Sequence, residues 1–136
     1  MRSFLLIISL SVFSLYAAEL NWADSYKDAV SKAKNDKKNI MVLITTKTCR
    51  WCRKLESETL VDKNVIERLN KDYISLHITR GEGEYPDFLE APAVPATYFL
   101  DVDGNPLIKR VMGYWNVEDY FSFLDDVDYK LGRKEY

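Results

Sequence analysis

The chain has 136 residues and two cysteines, Cys49 and Cys52, which stand three positions apart in "TCRWC" directly after the apolar run "NIMVLITT". This adjacency constrains the fold more than any other feature of the sequence. A continuous apolar run with β-branched residues and no turn signal inside it is the pattern of a buried central strand. Beyond it, "RWCRKLESETL" changes to helical spacing through Trp51, Leu55 and Thr59. The cysteine pair therefore sits where a strand gives way to a helix N-terminus.

The rest of the chain supplies the layers such a strand needs. "WADSYKDAVSKAKND" repeats Trp22, Tyr26, Ala29, Val30 and Ala33 at helical intervals, predicting an amphipathic helix from about Trp22 to Asn35. "DKNVIERLNKD" predicts another after a break near Asp62, and "YISLHIT", Tyr73 to Thr79, alternates as a second strand. Glycines, prolines and acids make "RGEGEYPDFLEAPAV" a loop, with a turn of helix over Pro86 to Leu89. "ATYFLDVDGNPLIKRVM" predicts two strands in a hairpin about Asp103, Gly104 and Asn105. "NVEDYFSFLDDVDYKL" is the closing helix, with Asn116 as N-cap and Tyr120, Phe121, Phe123, Leu124 and Val127 on its apolar side. With 47% hydrophobic and 29% charged residues, the composition fits a single α/β domain: a mixed central sheet flanked by helices on both faces. The formal net charge of −2 offers no basic field for nucleic acid or an anionic membrane surface.

The first eighteen residues are of another kind. "MRSFLLIISLSVFSLYAA" places Arg2 ahead of an apolar and serine run that ends in Ala17 and Ala18, the layout of a secretory signal peptide. Glu19 interrupts the run short of the roughly 20 apolar residues of a spanning helix. The expected organisation is a signal peptide over 1–18, cut after Ala17 or Ala18, and one domain over 19–136, acting in the periplasm or otherwise exported. In an oxidising compartment a cysteine pair is a disulfide candidate. Closing so small a loop removes little chain entropy, so this pair is suited to switching rather than to stapling.

Thiols react as thiolates, and a helix N-terminus with Arg50 next in sequence and Lys47, Arg53 and Lys54 nearby favours that form at Cys49. Cys52, one turn into the helix, is the more buried thiol. Cys49 is therefore the candidate nucleophile toward a substrate disulfide, and Cys52 the thiol that resolves the mixed disulfide. Trp51 is a candidate contact for a protein partner, with Tyr114 and Trp115 as a second aromatic pair near the same rim. Two other functions remain open on these residues. Two thiolates and His77 could bind copper or zinc, although a closed zinc site takes four ligands. A non-catalytic adaptor could use the aromatic rim alone.

"CRWC" at a helix start, Val94-Pro95-Ala96-Thr97 before a strand, the "DGN" turn, Gly113 and a final helix together resemble the thioredoxin superfamily over nearly all of 19–136, its secreted thioredoxin-like members in particular. The resemblance implies a thioredoxin-like fold, here with an extra N-terminal helix, and an exported thiol:disulfide oxidoreductase, a reductase rather than an oxidase. It further implies a cis Pro95 facing the cysteines, a substrate strand bound along Val94 and Pro95, and a Gly113 that lets that substrate approach. Implied partners are disulfide-bearing proteins and a membrane or soluble thiol donor, with a monomeric protein and no cofactor. The chain departs from the pattern at several positions: Thr48 stands where the resemblance expects a tryptophan before the first cysteine, Arg50-Trp51 stand in place of Gly-Pro between the cysteines, and two further changes touch the proton chemistry. Leu43 occupies the place of the buried acid, and His77 that of its lysine partner. The proton acceptor for Cys52 is then open between His77 and Glu56, one turn beyond Cys52; the plain alternatives are a packed or surface histidine and a solvated glutamate.

Overall fold

The computed structural model describes residues 18–135; apart from Ala18, the signal peptide expected over 1–18 lies outside them. Helix α1 (Tyr26–Asp36) is followed by β1 (Asn39–Thr45), α2 (Arg50–Lys54), a π-helical turn (Leu55–Thr59), α3 (Lys63–Asp72), β2 (Tyr73–Thr79), β3 (Ala96–Leu100), β4 (Val111–Met112) and α4 (Val117–Lys130). The strands form one mixed sheet in the order β2-β1-β3-β4, with β1 parallel to β2 and antiparallel to β3. All seven residues of β1 are buried, as its apolar run requires of a strand covered on both sides.

Side chains alternate along β1 and so sort the core into two layers. Ile40, Val42 and Ile44 pack with Ala29 and Ala33 of α1 and with Leu89 and Ala91 of the long loop. Met41 and Leu43 face the other way, into Leu55, Val65 and Leu69 and into Tyr120, Leu124 and Val127 of α4. The helix starts are capped by their own residues. Ser25 accepts the Asp28 N–H, Asp62 those of Asn64 and Val65, and Asn116 that of Asp119, each removing an orphan donor worth about 1 kcal/mol.

The structure differs from the sequence reading at four places. Helix α1 begins at Tyr26 rather than Trp22, because Ser25 caps it and Trp22 pairs instead with Ser75 on the outer edge of β2. The Ala23 N–H donates to the Ser75 carbonyl at 2.8 Å, and Asn70 holds the preceding residues through the Asn21 N–H at 3.2 Å and the Glu19 carbonyl at 2.8 Å. Pro86–Leu89 is a single hydrogen-bonded turn, not a turn of helix. The hairpin's return strand is only two residues long: Leu107 bonds Phe99 and Val111 pairs with Thr97, so Ile108, Lys109 and Arg110 bulge opposite Tyr98. Finally, the helix after the cysteines changes to π geometry, with the Leu60 N–H reaching back to Leu55 at 3.0 Å.

Candidate redox site

Cys49 is the N-cap of α2, in extended conformation at φ −128°, and is joined to Cys52 by a disulfide. Its sulfur accepts the Cys52 N–H at 3.1 Å. That donor is one of the free N–H groups of the helix start, aimed where negative charge develops when the pair is reduced. Cys49 is 7% exposed and Cys52 1%, so an incoming disulfide meets Cys49 first.

Trp51 stands outside, 47% exposed. The Arg50 guanidinium lies over its ring at 5.1 Å and the Lys54 ammonium at 5.4 Å, while Lys54 also lies 4.7 Å from the Tyr114 ring. The Trp51 and Tyr114 rings are 6.1 Å apart, and the Tyr114 hydroxyl donates to Glu58 at 2.8 Å. That carboxylate pushes the Tyr114 phenol above its ordinary value. Tyr114 and Trp115 do not form the expected pair. Trp115 turns away onto Phe123 at 5.3 Å and donates its indole N–H to the Met112 carbonyl. Of the basic residues around the motif, Lys47 is taken up by Glu82 at 2.5 Å, which raises the Lys47 pKa.

The Val94–Pro95 peptide bond is cis, with Pro95 buried and Val94 half-buried. The Pro95 carbonyl accepts the Gly113 N–H at 2.8 Å, which joins these two sequence-predicted residues. Gly113 has φ +85°, a conformation side-chained residues rarely adopt, and a Cβ there would meet nothing within 4 Å. The glycine answers a backbone requirement and faces open space.

His77 and Glu56 also come together, with Nδ1 and Oε1 3.7 Å apart. The other ring nitrogen, Nε2, is 2.7 Å from the Thr45 hydroxyl, and the Trp22 ring lies 5.6 Å away. Sequence reasoning singled out neither Thr45 nor Trp22 here. Alternation along β1 could have found Thr45, since it shares a face with Met41 and Leu43; Trp22 was hidden by its placement in a helix. Leu43 is 1% exposed and pairs in register with His77 and Thr97, so a buried aliphatic group stands beside the histidine in the sheet. Among the described residues no group of three or more His, Cys, Asp or Glu gathers in a metal-binding arrangement.

A family model for the thioredoxin-like domain matches residues 26–128. The chain belongs to that family. Among solved structures this thioredoxin-like chain is similar to a thioredoxin from Thermus thermophilus, at 19% identity and a TM-score of 0.68 over 80% of this chain and 87% of that one. It is also similar to a protein titled DsbH Oxidoreductase, at 18% identity and a TM-score of 0.60 over 98% and 96% of the two chains. The oxidised C-terminal domain of DsbD from Neisseria meningitidis matches at 16% identity and a TM-score of 0.60, over 76% and 96%. A curated relative, spermatogenesis-associated protein 20 of Rattus norvegicus, is 25% identical over 107 residues, 74% of this chain but 14% of that protein. The thioredoxin-like chain thus spans about one seventh of the length of that relative.

The exposed Trp51 makes one prediction for this site. Trp51→Ala is expected to raise KM for a protein disulfide about tenfold or more, the loss typical of an aromatic anchor, while the rate with a small-molecule disulfide changes little. Parallel steady-state assays on the two substrates check it; equal effects on both would mean that Trp51 serves the thiols rather than the partner.

Proposed function

We propose that the protein is an exported thiol:disulfide oxidoreductase that reduces disulfides in other proteins. The observation that carries this reading is the Cys49–Cys52 disulfide at the N-cap of α2, with the Cys52 N–H on the Cys49 sulfur. In the reduced protein Cys49 attacks a client disulfide as thiolate, one client sulfur leaves, and Cys52 then attacks Cys49 to release the other. Electrons pass from the cysteine pair to the client, and a thiol donor in the membrane or in solution restores the pair. The names of the DsbH and DsbD neighbours support exchange of this kind. A client strand runs beside Val94 and Pro95 in backbone pairing, Gly113 leaves it room, and Trp51 with Tyr114 holds the flanking surface. The signal-peptide pattern of residues 1–18 supports export, and the domain works as a monomer.

Direction is a matter of potential. Arg50 beside Cys49 and the apolar Leu43 in place of an acid favour the thiolate form, which places the couple above thioredoxin's value of about −270 mV, toward the range near −180 mV. Equilibration of Cys49/Cys52 with glutathione buffers, together with reduction of insulin by the dithiol form, tests this. A potential near that of a strong oxidant, about −120 mV, with no insulin reduction would overturn the reductase reading.

A further inference from the structure

We propose that the rim formed by Arg50, Trp51, Lys54 and Tyr114 selects client proteins whose disulfide is flanked by acidic residues, the two cations pairing with client carboxylates. This rests on the redox reading above and assigns its substrate class. The sequence concentrates positive charge at this place. The stretch "KTCRWCRK", Lys47 to Lys54, holds four basic residues, and no acid occurs between Asp36 and Glu56, in a chain whose formal net charge is −2.

Most of that charge is not spent within the protein. Lys47 is engaged by Glu82, but among the described residues no ion pair engages Arg50, Arg53 or Lys54. Arg50 and Lys54 rest on aromatic rings instead: Arg50 lies 5.1 Å from the Trp51 centroid, and Lys54 lies 5.4 Å from Trp51 and 4.7 Å from Tyr114. An aromatic face holds a cation in place without neutralising it, so the N–H donors of both groups stay available to an incoming carboxylate. Glu58 touches the rim through the Tyr114 hydroxyl, which donates to it at 2.8 Å. Its charge opposes an acidic client, which gives the test an arm of opposite sign.

The position of the rim favours a protein client over any other anionic surface. Arg50 and Trp51 stand between the two cysteines in sequence, and the Trp51 ring, 6.1 Å from that of Tyr114, joins the cysteine helix to the segment after Gly113. A client sulfur that reaches Cys49 therefore brings its own neighbouring residues over these side chains. Anionic lipid headgroups carry the same charge, but a bilayer meets the field of the whole acidic chain, whereas a client segment meets the local cations alone. Opposite charge at such a rim raises the encounter rate and discriminates among partners more than it tightens the complex.

Two peptides with one internal disulfide, identical except that glutamate or lysine flanks each cysteine, test this as substrates of the reduced protein. Each kcat/KM is divided by the peptide's rate with dithiothreitol, an uncharged dithiol, which removes the intrinsic reactivity of its disulfide. The glutamate peptide is expected to be preferred about tenfold at low salt and about twofold near 0.5 M salt, the screening expected of exposed charges. Lys54→Glu should bring the preference to about one, Lys54→Arg should keep it, and Glu58→Gln should raise it. Because the preference is a ratio within one variant, a change in Cys49 reactivity does not move it. Equal normalised rates for the two peptides, or a preference that Lys54→Glu leaves intact, would overturn the proposal while leaving the redox reading standing. Equal rates together with sedimentation on phosphatidylglycerol vesicles that Lys54→Glu abolishes would assign the cations to a lipid surface instead. Failure to reduce either peptide would overturn both readings.

Discussion

Cys49→Ser is expected to lower any thiol:disulfide exchange activity by about a thousandfold or more, since removing the nucleophile of a covalent mechanism removes the step itself. Cys52→Ser should be similarly inactive in turnover yet behave differently on a non-reducing gel. It retains Cys49 at the helix cap and so accumulates mixed disulfides with clients, whereas Cys49→Ser should trap none. The asymmetry follows from exposure and placement: Cys49 caps α2 at 7% exposure, and Cys52 lies at 1% beneath it. Trapping by Cys49→Ser rather than by Cys52→Ser would reverse the assignment of the two thiols. The reduced Cys49 should also titrate below the ordinary thiol value of about 8.5, read from thiolate absorbance against pH.

Leu43→Asp, which restores an acid where the family resemblance expects one, is expected to cost about 4 kcal/mol or more at neutral pH. The substitution deletes well-packed aliphatic volume and buries a carboxyl among apolar neighbours. Against a typical domain stability of about 5–15 kcal/mol, this is a large fraction. Leu43 packs in the layer formed by Leu55, Leu69, Phe99 and Leu124, and its register neighbour His77 is already engaged by Thr45 and Glu56. The pH dependence has a definite sign. Burial raises the folded-state pKa of the new carboxyl above the unfolded value of about 3.9. The variant is therefore least destabilised below about pH 4 and loses stability as pH rises toward the folded value. Urea unfolding of variant and wild type at acidic and mildly alkaline pH measures the difference; an equal gap at both would mean that the carboxyl reaches solvent.

Much of the architecture was legible because it rests on local patterns. The run Asn39–Thr45, the alternation of Tyr73–Thr79 and the Asn116-capped closing helix appear in the structure with nearly the predicted bounds. The misreadings share a cause: local pattern was overridden by pairing with distant chain. Trp22 falls at helical spacing from Tyr26 and Ala29, but Ser25 caps the helix and β2 offers Trp22 a partner in Ser75. The strand after the turn looked continuous, yet the three-residue bulge opposite Tyr98 shortens it. At the site, the cysteine pair and its basic neighbours could be read directly. The meeting of Glu56 with His77 could not, because it depends on the parallel register of β1 with β2 and on how the helix runs beyond Cys52. Likewise nothing local separates Tyr114, which joins Trp51, from Trp115, which turns to Phe123.

The segment that pairs Trp22 and Ala23 with Ser75 also bears on self-association. β2 is an outer strand, and the backbone edge that this segment covers would, if bared, be a template for another copy's strand. Asn70 fastens the covering segment through the Asn21 N–H and the Glu19 carbonyl. A chain shortened to begin at Glu19 keeps both ties. A cut a few residues later would strip them away and open β2 to edge-to-edge pairing, so the colloidal stability of the domain sets a limit on how far its N-terminus can be shortened.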